Sequence, residues 1–138
     1  MPRFWIGTVS RSHVERGVDG GFAQLCHGKH APLHRMQAGD WLIYYSPRLS
    51  LESKERCQQF TAIGQIKDDV VYQVEMSPDF TPFRRDVNFI PCQAASIRPL
   101  LDQLSFTQGN SNWGWLFHRG HFEISQEDFL LIKHAMQI

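Results

Sequence analysis

Runs of β-branched and aromatic residues recur along the chain and are separated by glycine, proline and polar segments. The run that begins at Phe4 and the run that leaves Gly39 through Trp41 are the clearest. Runs of this kind, bounded by turn-forming residues, predict β-strands. From Phe83 onward an alternation of apolar and polar residues, with Val87 on one face, predicts another. Five segments are therefore predicted as strands: residues 4–9, 40–46, 60–72 (bent at Gly64), 83–91 and 121–124.

Helices are predicted where apolar residues recur at helical spacing behind a capping residue. Ser12 and Glu15 have capping-box spacing and predict a short first helix. Ser96 precedes a second apolar pattern, and Ser125 precedes a closing one. The apolar positions are Ile97, Leu100, Leu101 and Leu104 in the second helix, and Phe129, Ile132 and Met136 in the closing helix.

The segment from Gly17 to Gly39 is rich in glycine and is predicted to be mostly irregular, with one helical turn near Leu33. A loop of this length in a small domain usually serves a function. Five to six strands are too many for a helical bundle, and three short helices at the crossings are too few for a doubly wound sheet. The predicted fold is α+β, a mixed β-pseudobarrel with a C-terminal helix, in one domain over residues 1–138.

Charge and length narrow the set of partners. The 138 residues suffice for one core, and 14 Lys and Arg balance 14 Asp and Glu, so the net charge is +0. A neutral chain has no long-range field that attracts a phosphate backbone or an anionic membrane. Nucleic-acid affinity would therefore require a local cationic rim, for which the candidates are Arg11, Arg84, Arg85 and Arg119.

Cysteine usage and hydropathy predict a cytoplasmic protein. Cys26, Cys57 and Cys92 are odd in number and widely spaced, which argues against a disulfide framework. The N-terminus lacks the apolar run of a signal peptide. The longest apolar stretches are also far shorter than the roughly 20 residues that cross a bilayer.

The cysteines and histidines of the chain bear on two kinds of catalytic chemistry, metal-dependent and nucleophilic. Cys26, His27, His30 and His34 are potential zinc ligands, but Pro32 disfavours the helix that would align the last two, so neither metal nor cofactor is expected. Seven histidines make a Cys–His nucleophile conceivable, but no nucleophile-elbow motif is present. The expected function is therefore binding, with a small-molecule sensor or hydrolase as the alternative. A pure interaction module would lack a pocket.

Aromatic and polar residues around the glycine-rich loop are the candidate ligand contacts. A flat nucleobase stacks on aromatic rings while a few polar groups recognise its edge. Phe22 and Trp113 are predicted as stacking faces, and His27, Gly28 and Lys29 are expected to meet a phosphate or acidic group. The residues predicted to read the base edge are Ser10, Gln24, Tyr45 and Ser46.

Several short motifs are familiar in their order and spacing. They are Phe-Trp-Ile-Gly at 4–7, Gly-Gly-Phe-Ala-Gln-Leu at 20–25, Gly-Asp-Trp at 39–41, Phe-Thr-Ala-Ile-Gly at 60–64 and Glu-Asp-Phe at 127–129. Over nearly its full length the chain resembles the EVE domain family, which is related to thymocyte nuclear protein. The family belongs with PUA-like folds, which include ASCH domains and the YTH readers of N6-methyladenine.

The resemblance implies a PUA-like pseudobarrel that recognises nucleic acid, either DNA or RNA. It implies that a modified base is held in a pocket between the first helix and the barrel. When the chain is aligned with the YTH pattern on the first helix, the glycine loop and the following strand, Phe22 stands at the position of a tryptophan of the aromatic cage.

Overall fold

One mixed sheet of seven strands forms the frame of the molecule, and the computed structural model describes all 138 residues. The strands are β1 (Phe4–Thr8), β2 (Phe22–Ala23), β3 (Trp41–Arg48), β4 (Arg56–Gln73), β5 (Phe83–Phe89), β6 (Ala95–Ser96) and β7 (His121–Ile124). Their order across the sheet is β2-β5-β4-β3-β1-β7, and β6 pairs with β4 beside this path. Only β1 and β3 run parallel; the other neighbours are antiparallel.

Three α-helices cross or close the sheet. They are α1 (Arg11–Gly20), α2 (Ala31–His34) and α3 (Gln126–Ala135). Three short 3₁₀ segments lie at Cys26–Gly28, Arg98–Leu100 and Trp113–Arg119. None of the helices has both the length and the apolar character that a membrane crossing requires.

The sheet separates two buried clusters because successive side chains of a strand point to opposite faces. Leu42 and Tyr44 of β3 belong to one cluster, which we call the α1-side cluster because Val14 of α1 packs into it. Ile43 and Tyr45 belong to the other, the α3-side cluster, which includes Phe129 and Ile132 of α3 and Met136 directly after it. Both faces of the sheet are therefore covered.

The long strand β4 carries irregularities that bend it across the sheet. Its register with β3 shifts after Tyr44, and its register with β5 shifts between Ile66 and Val71. A side chain at Gly64 would place a Cβ 2.7 Å from the Asn88 carbonyl oxygen. This glycine therefore lets β4 and β5 approach closely, whereas the register irregularities of β4 lie on either side of it.

The predicted α+β pseudobarrel class is confirmed, and so are the main strands, the helical turn near Leu33 and the closing helix. The Ser125 hydroxyl accepts a hydrogen bond from the Asp128 backbone N–H at 3.1 Å, as the capping prediction required. The predicted start of α1 is wrong, because the helix begins at Arg11, one residue before Ser12. The second predicted helix is a single 3₁₀ turn followed by further turns.

Candidate functional site

A groove lies between α1 and the centre of the sheet. Its larger part encloses about 540 Å³, and a smaller adjoining part of about 290 Å³ shares Val18, Thr61 and Cys92 with it. Thr61 lies on β4, Val18 lies on α1, and Cys92 follows β5. The remaining lining of the larger part is Gly21, Ala62, Val87, Asn88, Phe89, Ile90 and Pro91. The volume of the larger part falls in the range of small-molecule and cofactor sites.

Glycines determine the position of α1 relative to the sheet. Gly21 ends the helix in the left-handed conformation, with φ 71, and its N–H bonds back to the carbonyls of Gly17 and Val18. Its own carbonyl accepts the Val87 N–H at 2.9 Å. A Cβ at Gly17 would lie 2.8 Å from the Phe22 carbonyl oxygen. The end of α1 is thus tied to β2 and β5, and the groove forms at this corner.

The groove combines an apolar wall with a few polar atoms. Phe89 supplies the aromatic part of the wall, and its ring lies parallel to that of Tyr44, with centroids 6.2 Å apart. The Thr61 hydroxyl is bonded to the Ser46 hydroxyl at 2.8 Å. The Asn88 side chain is exposed and makes no hydrogen bond within the chain. Burial raises the pKa of the Cys92 thiol, so it stays neutral near pH 7.

Three of the residues predicted from the sequence belong to this region. Arg11 lines the smaller part of the groove, and Ser46 supports Thr61 from behind. Ser10 immediately precedes α1; its hydroxyl is buried and has no hydrogen-bond partner. The groove also contains residues that the sequence reasoning missed, notably Thr61, Phe89 and Val18.

The two predicted stacking rings do not face each other. Trp113 packs with Phe117 in the α3-side cluster, where Tyr45 is also buried. Phe22 lies on β2, at the far edge of the sheet, and does not line the groove. The expectation of one pocket containing Phe22, Trp113 and Tyr45 is therefore wrong, because Trp113 and Tyr45 pack in the α3-side cluster while Phe22 lies on the edge strand β2.

Arg85 is not available as a rim residue. Its side chain is 2% exposed. The guanidinium donates to the carbonyl oxygens of Leu33 (2.6 Å), Met36 and Asp68 (2.8 Å), and it pairs with Asp69 at 3.2 Å. The expectation that Arg85 meets a phosphate is therefore wrong, since the N–H groups of its guanidinium are hydrogen-bonded within the protein.

The comparisons with known proteins agree with this architecture. Residues 3–135 match the sequence profile of the EVE domain. The chain belongs to the EVE domain family.

Curated relatives of this EVE domain carry little functional description in their names. A UPF0310 protein of Mycolicibacterium vanbaalenii is 51% identical over 96% of this chain and 91% of its own length. UPF0310 protein YdcG of Bacillus subtilis is 49% identical over 98% and 92%. Both matches extend over nearly the whole of each chain, so the comparison concerns the complete domain.

The fold of the EVE domain is shared with a YTH domain. The solved YTH domain of the Zygosaccharomyces rouxii MRB1 protein, in complex with N6-methyladenosine RNA, matches with a TM-score of 0.66 at 14% identity. The match covers 99% of this chain and 85% of that chain. At this level of identity the likeness establishes a common fold.

A second polar patch lies at the β2 edge of the EVE domain. The Arg84 guanidinium lies 3.9 Å from the centroid of the Phe22 ring, and its Nε donates to Gln24 Oε1 at 3.0 Å. One face of Phe22 is therefore occupied by a cation. His27 and Lys29 are exposed in the following loop, where Gly28 has φ 81 and a Cβ would lie 2.4 Å from Pro82 Cβ. The predicted residues of this patch do not line the groove.

The cysteine and histidines of the glycine-rich loop do not form a cluster. No three His, Cys, Asp or Glu side chains of the EVE domain are grouped so that they could hold a metal ion. The His30 and His34 rings lie edge to face at 5.4 Å, while the Cys26 thiol donates to the Arg119 carbonyl oxygen at 3.9 Å. Arg119 itself, a predicted rim residue, is exposed at the end of the 113–119 segment.

A buried histidine of the EVE domain lies outside the groove lining. His121 of β7 is 3% exposed, and its ring stacks on Trp5 with centroids 4.7 Å apart and an interplanar angle of 7°. Neither ring nitrogen has a hydrogen-bond partner. Burial, and to a smaller degree Arg35, lower the pKa of His121 to about 4.

Proposed function

We propose that this EVE domain is a non-catalytic binding module that takes a modified nucleobase of DNA or RNA into the groove between α1 and strands β4 and β5. The observation that carries the proposal is the groove itself, which lies between the first helix and the sheet, where the family resemblance implies a base pocket. The fold is shared with a YTH domain solved in complex with N6-methyladenosine RNA.

The chemistry of the lining suits a flat, partly polar ligand. Phe89 and the aliphatic walls offer an apolar surface, and stacking of a base on a ring contributes roughly 1–3 kcal/mol. Thr61, Asn88 and the backbone beside them supply a small number of polar atoms for the base edge. A pocket with one apolar wall and few polar groups is the general form of such sites.

The lining also favours binding over hydrolysis. Cys92 is the candidate nucleophile, but none of the seven histidines lines the groove, so no imidazole lies there to accept its proton. Burial keeps the thiol pKa raised, which opposes the reactive thiolate. A small-molecule sensor using the same groove becomes an outcome of the test below.

The test is a binding screen with a variant that fills the groove. The purified domain is titrated with nucleosides and short single strands that carry methylated or otherwise modified bases, and with their unmodified parents. Val18 is 39% exposed and lines both parts of the groove, so V18W should block it without disturbing the core. Val70 is 58% exposed and lies outside the groove, and V70W is the matched control.

We expect the domain to prefer a modified base over its parent, V18W to abolish this binding, and V70W to bind as the wild type does. The variant F22A should also bind normally, because Phe22 does not line the groove. Equal affinity for a modified base and its parent, or normal binding by V18W, would contradict the proposal. Binding of a free metabolite, with no response to any strand, would identify a sensor instead.

A further inference from the structure

Two arginines face each other across the β3–β4 pair. The register places Arg48 opposite Arg56, and both side chains are exposed. Like charges directly opposite in a sheet destabilise it. The only ion pairs of the domain are Arg3 with Glu123 and Arg85 with Asp69, so neither Arg48 nor Arg56 forms a salt bridge.

Three consecutive residues of β4 join this pair to two further arginines. Arg56 faces Arg48. The start of α1 lies beside them, because the Ser12 N–H donates to the Leu49 carbonyl oxygen at 2.9 Å, and Arg11 lowers the pKa of the Cys57 thiol against the larger effect of burial. Gln58 Oε1 then accepts from Arg98 Nε at 3.1 Å and Nη2 at 2.8 Å. The four cations therefore lie along one end of the sheet. We call Arg11, Arg48, Arg56 and Arg98 the arginine track.

One end of the arginine track lies at the groove, and the other lies beside an aromatic ring on the opposite face of the sheet. Arg11 lines the smaller part of the groove together with Glu15 and Asp19. The guanidinium of Arg98 lies 5.5 Å from the centroid of Trp113, whose side chain is half-buried. Gln58, which binds Arg98, has φ 53, a left-handed conformation that glutamine rarely adopts. It lies where the β3–β4 register shifts. The local strand geometry thus supports the alignment of the four cations.

We propose that the base held in the groove belongs to a nucleic-acid single strand, whose neighbouring phosphates lie over the arginine track and whose next accessible base stacks at Trp113. This inference rests on the proposed function and adds the polymer and its path. Unpaired arginines with an adjacent ring are the elements with which proteins hold single strands. The track is also the local cationic surface that a chain of zero net charge needs for this purpose.

The salt dependence of strand binding tests the track. For single strands the slope of log K against log salt is about −0.7 per phosphate contact, so four contacts correspond to about −2.8. Between about 50 and about 200 mM salt the wild type should then lose roughly 50-fold in affinity. The double variant R48Q/R56Q retains two contacts, for which the same interval costs roughly 7-fold. Both arginines are exposed and unpaired, so the variant should fold.

The probes are single strands of DNA and of RNA carrying N6-methyladenine, the unmodified strands, and the free nucleoside N6-methyladenosine, measured by fluorescence anisotropy or calorimetry. The control R16Q/K67Q removes the same charge from exposed positions outside the track and the groove. We expect R48Q/R56Q to weaken binding of every strand, the control to leave it unchanged, and nucleoside binding to be insensitive to both. W113A should weaken strands but not the nucleoside.

Two results would overturn the inference: R48Q/R56Q binds strands with the affinity and salt slope of the wild type, or the strands bind no more tightly than the nucleoside. A different result would show that the groove does not bind the base. In that case V18W would leave strand binding intact, while R48Q/R56Q would still weaken it. The DNA and RNA arms identify which strand the track prefers.

Discussion

His121 makes the folding stability of this domain depend on pH, and the effect can be isolated by one substitution. The ring is buried against Trp5, with both nitrogens unpaired. Its pKa is lowered from 6.5 to about 4, mainly by burial. In the unfolded chain the imidazole titrates normally. Between pH 6.5 and pH 4 the unfolded state therefore binds a proton that the folded state does not, and stability decreases as the pH falls through this window.

The shift sets the size of the effect. A difference between 6.5 and about 4, at about 1.4 kcal/mol per pKa unit, corresponds to a loss of about 3 kcal/mol of unfolding free energy. This is a large part of the stability of a small domain. H121F retains a flat ring beside Trp5 and cannot titrate, so it should remove this component of the pH dependence.

Urea unfolding followed by tryptophan fluorescence measures the effect. The unfolding free energies of the wild type and H121F, determined at several values from about pH 7 down to about pH 4, should diverge by about 3 kcal/mol as the pH falls. H121L serves as a second variant if phenylalanine overpacks the site. The substitution H34Q, at an exposed histidine, should leave the wild-type profile unchanged. Parallel profiles for the wild type and both His121 variants would refute the reasoning.

Three further predictions concern stability and are checked by chemical or thermal unfolding. R85M should cost about 3–5 kcal/mol, because it leaves buried carbonyl oxygens without donors, and R85K should not restore the loss; a cost below 1 kcal/mol would contradict the assigned role. G21A should cost about 1–2 kcal/mol, because Gly21 has φ 71 and closes α1, whereas an alanine at Gly114, where a side chain would meet open space, should be tolerated. S125A should cost about 1 kcal/mol through loss of the bond to the Asp128 N–H, and S125T should restore much of it.

The strands and the closing helix could be predicted because their patterns are local. The run from Trp41 to Ser46 and the capped helix after Ser125 each carry their own signal, and tertiary packing reinforces it. The helix α1 is harder to predict from the sequence, since a glycine such as Gly17 is unfavourable inside a helix. A close approach to the Phe22 carbonyl requires that glycine, so packing overrides helix propensity.

The composition of the site could be predicted only in part. Strand alternation from Val87 places Arg85 on the buried face, whereas its charge favours an exposed position, and the alternation is the signal that agrees with the structure. The position of Phe22 could not be found in this way, because β2 has only two residues and pairs with the edge of β5. The groove lining comes from α1, β4, β5 and the segment after β5, and only tertiary structure brings these together.

The buried guanidinium of Arg85 also bears on how the molecule opens. One side chain of β5 holds carbonyl oxygens from α2, from the turn after it and from the far part of β4. Segment 31–40 therefore cannot separate from the β4–β5 pair without exposing several hydrogen bonds at once. Local opening of this region should be cooperative, and its amide protons should exchange together with those of β5, as one unit rather than as a fraying loop.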